Sequence, residues 1–286
     1  MYTPRTAHGR TLTVPSTNPV GIIKTVEDCP DQCCQIMGGQ LYLSPGQKKY
    51  LAAVCADKSF QIFVHSPLYL NLAGEKRDTH REVLERDLQF AADLPCSVIL
   101  HIGRHGDDVQ GAIERLAEQI NIMSTAGFFR TVAGNFVDQS AGSDLACARK
   151  LLLEVSAGTR GQLGSTWDEL RKIFEALDTS SVGLCLDTQH LFAAGMSKLE
   201  TSEDIVRLFD NCGYIGASVE LIHLNDSKVS FGAHVDRHAP LRQGYIWTAD
   251  DIGLRSLISN CRSLGIPTVS ETSDQDADMA IVRGII

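Results

Sequence analysis

Residues 219–238, VELIHLNDSKVSFGAHVDRH, decide how this chain is read. They open with a short apolar run that closes on His223 and pass into a polar loop holding Asn225, Asp226, Ser227 and Gly232. The loop ends on Asp236 and His238. Alternate side chains of an extended backbone point the same way, so the D-x-H spacing lets a carboxylate and a neutral imidazole meet one cation. Asp226 falls outside that spacing and suits a hydrogen-bonding role within the loop. A strand that ends in an imidazole and feeds a ligand-rich loop is one unit of an α/β fold with its chemistry at the strand C-termini.

Outward from this stretch the same phrase recurs: a short apolar run, a polar loop, a helical pattern. Strands are expected at 12–15, 34–37, 61–65, 97–101, 150–154, 182–187, 219–223 and 267–271. Alternation with helices implies parallel strands joined by crossovers. Three helix starts carry an S/T-x-x-D/E box: Thr166 with Glu169, Thr201 with Asp204, and Thr248 with Asp251. Eight such units in 286 residues fit one (β/α)8 TIM-barrel domain over 1–286. The spacing stretches between His101 and Glu154, where a helix at 107–126 is followed by FFRTVAGNFVDQSAGSD, read as an inserted loop.

Composition bounds the function. The chain is 43% hydrophobic and 21% charged, ordinary for a globular core. No apolar run approaches the roughly 18 residues of a membrane span. The N-terminus lacks the apolar stretch of a signal peptide, so an intracellular enzyme without a membrane partner is expected. The nine cysteines are scattered without a repeated C-x2-C pair, against a zinc finger or a secreted disulfide framework. Cys29, Cys33 and Cys34 are expected as reduced buried thiols, a local disulfide or a stray metal contact being the alternative. The net charge of −9 opposes a nucleic-acid partner unless bound cations alter the local sum.

Six consecutive expected strands end in a residue able to bind metal: His65, His101, Glu154, Asp187, His223 and Glu271. Barrel strand ends converge on one face, and barrel stability alone would place Val, Ile or Leu there. One histidine at a strand end is more often a hydrogen-bonded structural residue than a ligand; six successive ligand types make a site. His190, Asp236 and His238 bring the set to nine, five histidines and four carboxylates. Nitrogen and oxygen donors suit Zn2+ or Mn2+ and exceed the four that one zinc takes, so two or three ions are expected. Closely spaced ions are the usual device for phosphoryl chemistry.

The segments LLLEVSAG (151–158), VGLCLDTQH (182–190), HLNDSKVSFGAHVDRH (223–238) and HSPLYLNL (65–72) resemble the endonuclease IV type of abasic-site endonucleases. The resemblance runs from about Gln35 to Glu271. It implies a trinuclear zinc (β/α)8 barrel that cuts duplex DNA 5′ to a lost base, leaves a 3′-hydroxyl and trims blocked 3′ ends. Carried over, His65, His101 and Glu154 hold the first ion, and Glu154 bridges to a second completed by Asp187, His223 and Glu271. His190, Asp236 and His238 hold the third, with Mn2+ an alternative to zinc. Glu154 and Glu271 are the catalytic carboxylates of this scheme. It also implies a monomer of the cytoplasm or nucleus, or of a virion for a viral member.

Several positions depart from the family pattern. Gln189 replaces a cysteine, and Leu68, with Tyr69 beside it, stands where a DNA-inserting tyrosine is usual. The stretch 38–47 lacks the family's basic residue but offers Leu41 and Tyr42 to DNA. Arg242 and Gln243 replace an acidic residue. Arg104, His105 and Lys228 are candidate phosphate contacts. Three divalent ions would bring the formal charge of −9 to about −3 and leave the bowl positive, which removes the electrostatic objection to DNA. A sugar isomerase or epimerase on the same superfold is the alternative, but it needs one or two metals and has no use for the third set. A non-enzymatic reader of damaged DNA would show a broken ligand set, and all nine positions are filled.

Overall fold

The strands Leu151–Glu154 and Val182–Asp187 are buried at every residue. This is the mark of parallel strands covered on both faces. The computed structural model describes residues 7–12, 19–129, 151–177, 182–247 and 251–285. In chain order the elements are β1 (His8–Leu12), α1 (Pro19–Asp28), β2 (Cys33–Met37), α2 (Pro45–Lys58), β3 (Gln61–His65), α3 (Arg77–Ala91), β4 (Cys96–His101) and α4 (Val109–Thr125). Then come β5 (Leu151–Glu154), α5 (Trp167–Ala176), β6 (Val182–Asp187), α6 (Thr188–Ala193), α7 (Ser202–Tyr214), β7 (Val219–His223), β8 (Asp226–Ser227) and β9 (His238–Ala239). The chain ends with α8 (Ile252–Leu264), β10 (Thr268–Ser270) and α9 (Gln275–Ile285).

Eight of the strands close a barrel in the order β1-β10-β7-β6-β5-β4-β3-β2, every neighbouring pair parallel. The remaining two, β8 and β9, pair antiparallel as a small ribbon over the end of β7. The fold is a TIM barrel. Its hydrophobic core has two layers: a large one between strands and helices, and an inner one of Cys33, Phe63, Ile99, Leu152, Cys185, Leu221 and Val269. Two residues beyond six of these stand His65, His101, Glu154, Asp187, His223 and Glu271. The strand repeat of two turns all six ligand-type side chains into the barrel, one layer above an apolar floor.

Local sequence signals position the helices. Thr166 Oγ1 accepts from Glu169 N at the start of α5, while the Glu169 carboxylate accepts from Gly164 and Ser165. Thr201 and Asp204 form the full reciprocal box at α7. At α8 the expected box is replaced by Asp251 at the cap, whose side chain makes no cap hydrogen bond; Thr248 lies outside the described residues. Asp251 is instead paired with Arg242 and Arg255.

The first strand differs from expectation. It runs His8–Leu12 rather than 12–15, because its signature is polar: Arg10 pairs with Asp31 at 2.5 Å and Asp276 at 2.6 Å, and His8 Nδ1 lies 2.7 Å from Thr268 Oγ1. Residues 130–150, with most of the expected inserted loop, and Cys147 lie outside the described residues. The other eight cysteines are buried and in no disulfide, Cys29, Cys33 and Cys34 among them. Among the described residues no helix is long and apolar enough to cross a membrane.

Candidate metal centre

Glu154, at the end of β5, sits in the middle of the bowl and divides its two oxygens. Oε2 lies 3.1 Å from His65 Nε2 and 3.1 Å from His101 Nε2. Oε1 lies 2.9 Å from His223 Nδ1 and 3.5 Å from His190 Nδ1. His223 Nδ1 is also 3.1 Å from Glu271 Oε2 and 3.8 Å from Asp187 Oδ2. Opposite, His238 Nε2 lies 3.5 Å from Asp187 Oδ2, and Asp236 reaches His190 Nε2 at 3.5 Å and His238 Nε2 at 3.4 Å.

These residues fall into three groups whose donor atoms lie within 4.8 Å of one another. They are His65, His101 and Glu154; Glu154, Asp187, His223 and Glu271; and Asp187, His190 and His238. Eight of the nine expected ligands therefore fall within compact groups. The ninth, Asp236, stays at the rim with its side chain 44% exposed, and Asp187 takes its place in the third group.

The outer nitrogens of three imidazoles are tethered so that a specific inner one faces the bowl. His65 Nδ1 bonds Ser66 O at 2.8 Å, His190 Nδ1 bonds Val155 O at 2.9 Å, and His223 Nε2 bonds Gln35 Oε1 at 2.8 Å. A carbonyl accepts only from N–H, so whenever these rings are neutral their inner nitrogens carry the lone pairs, as metal-binding histidines require.

The electrostatics fit cations. Burial opposes charge on Glu154, yet the His223 and His101 imidazoles outweigh it and hold the carboxyl well below the usual range. Burial likewise pulls His190 down, but Asp187, Asp236 and Glu154 push it up to about 10. Protons that carboxylates hold this firmly on imidazoles are what divalent ions would displace. His190 Nε2 and His238 Nε2 are buried without a hydrogen bond, a cost of roughly 1–3 kcal/mol each that coordination would remove. The donor set, five imidazoles and four carboxylates without a thiol, suits Zn2+ or Mn2+.

Reading the sequence for ligands missed the groups that hold them. Asn225 donates through Nδ2 to Asp187 Oδ2 at 2.7 Å and accepts from Glu271 N at 3.0 Å, joining two ligands. Gln35 on β2 is fully buried between His223 and Glu271. The available signal was one amide in the otherwise apolar run CCQIM. Gln189 belongs to none of the three groups; its Nε2 donates to Val235 O at 3.0 Å and ties down the loop that carries Asp236. Asp226 accepts from the backbone of Ser227, Gly244 and Ile246 and shapes the same loop.

The rim residues divide. Tyr42, Leu68 and Tyr69 are 67%, 63% and 65% exposed on the turns after β2 and β3. Leu41 corrects the expectation that it joins them, because it packs in the outer core layer under that turn. Residues 45–47 of the same stretch are the first turn of α2, boxed by Ser44 and Gln47. Arg104 and Lys228 are exposed at the same end of the barrel, and Arg104 is braced on the carbonyls of Thr159 and Arg160. His105 is half-buried, its N–H bonded to Gly161 O.

Known proteins share this fold. The chain is 28% identical over 240 residues to a protein named probable endonuclease 4 from Mycobacterium tuberculosis, spanning 81% of each chain. Its fold superposes on endonuclease IV of Thermus thermophilus with a TM-score of 0.75 and 24% identity, covering 99% of this chain and 98% of the other. A D-tagatose 3-epimerase-like protein superposes with a TM-score of 0.65 and 19% identity, covering 98% and 96%. Residues 24–267 match the profile of one barrel family, and the chain belongs to it: the xylose isomerase-like TIM barrel family.

Proposed function

We propose that this protein is a metal-dependent endonuclease of DNA base-excision repair. It hydrolyses the phosphodiester 5′ to an abasic site in duplex DNA, leaves a 3′-hydroxyl and also clears blocked 3′ ends. The observation that carries the reading is the three abutting ligand groups joined through Glu154 and Asp187. A likeness to proteins named probable endonuclease 4 supports it. We assign three Zn2+ ions, with Mn2+ an alternative at one or more sites.

When bound, such ions acidify water to a nucleophile near neutral pH and offset charge on the leaving oxygen. The chain's own residues set the geometry. Glu154 and Glu271 are the carboxylates we assign to catalysis, as would-be holders of the cations, and Asn225 holds Glu271 by its backbone and Asp187 by its side chain. Asp236, half in solvent and 3.5 Å from His190, would complete the third ligand group. Tyr42, Leu68 and Tyr69 are apolar side chains free to enter a helix emptied at one base, while Arg104 and Lys228 meet phosphates. The protein works as one catalytic domain and a monomer inside the cell.

The test is a duplex with a single synthetic abasic site. Incision on its 5′ side, leaving an end that a polymerase extends, is the expected result. The fold is shared with epimerase-like proteins, so ketoses belong in the same assay; ketose turnover without incision would replace this reading with a sugar epimerase.

A further inference from the structure

The ligand layer of the barrel also contains a side chain that is not among the ligand types. Gln35 lies two residues beyond Cys33 of the apolar floor, so it points into the lumen at the level of the ligands. It is completely buried. Its Oε1 is 2.8 Å from His223 Nε2, and its Nε2 donates to Glu271 Oε1 at 2.6 Å. The second amide hydrogen reaches Thr11 Oγ1 at 3.4 Å, whose own hydroxyl is spent on Ser270 O.

We propose that Gln35 is a positioning residue that presents the Nδ1 lone pair of His223, and the second oxygen of Glu271, to one cation. Its amide has one working orientation. Turned over, Oε1 would face the Glu271 carboxylate and the lone pair of Thr11, and its N–H groups would face His223 Nε2–H. In the observed orientation Oε1 accepts from Nε2–H, which leaves Nδ1, aimed at Glu154 and Glu271, as the nitrogen a cation would take. The same amide pins Oε1 of Glu271, while Oε2 turns toward His223. A carboxylate at position 35 would hold the histidine but repel Glu271, and an apolar residue would hold neither. Glutamine supplies an acceptor and a donor in the spacing both ligands need.

This assignment rests on the metal-centre reading and not on the DNA substrate. Its test is therefore metal binding, with Co2+ as probe. Metal-free wild type and Gln35→Met are titrated with Co2+, following visible absorption and competition with a chelator. One class of site in the variant should weaken roughly 10- to 100-fold, the usual effect of losing a group that orients a ligand, while the others stay unchanged. A folded variant with wild-type affinity at every site would overturn the assignment. Should Gln35→Met not fold, long-range proton–nitrogen couplings of the zinc-loaded wild type decide the matter alone. His223 is expected to be protonated on Nε2, and protonation on Nδ1 would overturn the proposal. Wild type that takes up no Co2+ would remove the metal centre itself, an outcome distinct from failure to cut DNA.

Discussion

The Glu154 carboxylate approaches His223 Nδ1 at 2.9 Å through one oxygen and turns the other toward His65 and His101. Among the described residues no other belongs at once to the His65 group and the His223 group. Glu154→Gln removes a charge from both, so bound metal should fall by more than one ion per chain. Incision should drop by at least about 100-fold, more than the loss of a supporting group alone. Metal analysis beside the incision assay checks this; loss of a single ion would mean the two groups load independently.

Glu271 belongs to one group only. Glu271→Gln keeps the bond to Gln35 and the backbone bond to Asn225, so the fold should persist while cleavage is abolished. Circular dichroism and single-turnover incision separate the two effects. Retained cleavage would place the nucleophile elsewhere.

Metal removal should destabilise the chain. A ligand bound only to the folded state adds about 4 kcal/mol when present at a thousand times its dissociation constant. For a chain of this size each kcal/mol moves Tm by roughly 2–4 °C, so chelation should lower Tm on the order of 10 °C. Restoring Zn2+ should restore it. A Tm indifferent to chelator would contradict a buried, charge-concentrating site.

Much of the barrel, and most of the residues that cluster at the candidate metal centre, could be read from the chain for a physical reason. Each of five strands is a largely apolar run closed by a charged or imidazole residue, so Gln61–His65, Val182–Asp187 and Val219–His223 are delimited by composition alone. What could not be read depends on pairing at a distance. β1 looks polar because its partners, Asp31, Asp276 and Thr268, are remote in sequence. Leu41 and Tyr42 are neighbours in sequence, yet only packing shows that one is core and the other solvent. Gln35 and Asn225 have no spacing signature, since their role exists only where strands meet.

Asp87, buried on α3, ties the two exposed turns to the centre. Its Oδ1 accepts from Gly39 N at 2.6 Å and its Oδ2 from Ser66 Oγ at 2.9 Å, and Ser66 follows the ligand His65. Asp87→Ala strands both donors, a loss of roughly 2–4 kcal/mol in stability. The turns carrying Tyr42, Leu68 and Tyr69 should then hold DNA less well, raising KM for an abasic duplex more than lowering kcat. Asp87→Asn, which can bond both groups, should recover most of the loss. Equal effects on KM and kcat would show that Asp87 serves the centre rather than the turns.

His8 gives a pH dependence apart from the metals. Burial, helped by Arg262 and opposed by Asp31, lowers its pKa to about 4 from the ordinary 6.5. Between those values the unfolded chain binds a proton that the folded chain does not, so stability rises with pH across the window. The contribution is fully present above pH 6.5 and is lost as pH falls through about 4. At about 1.4 kcal/mol per unit, the loss attributable to His8 is at most about 3 kcal/mol. His8→Gln keeps a polar partner for Thr268 and cannot titrate. Compared by urea unfolding at about pH 7 and about pH 4.5, wild type should lose roughly 2–3 kcal/mol more than the variant. Parallel losses in the two proteins would mean that acid sensitivity resides elsewhere and that the seam between β1 and β10 tolerates a charged imidazole.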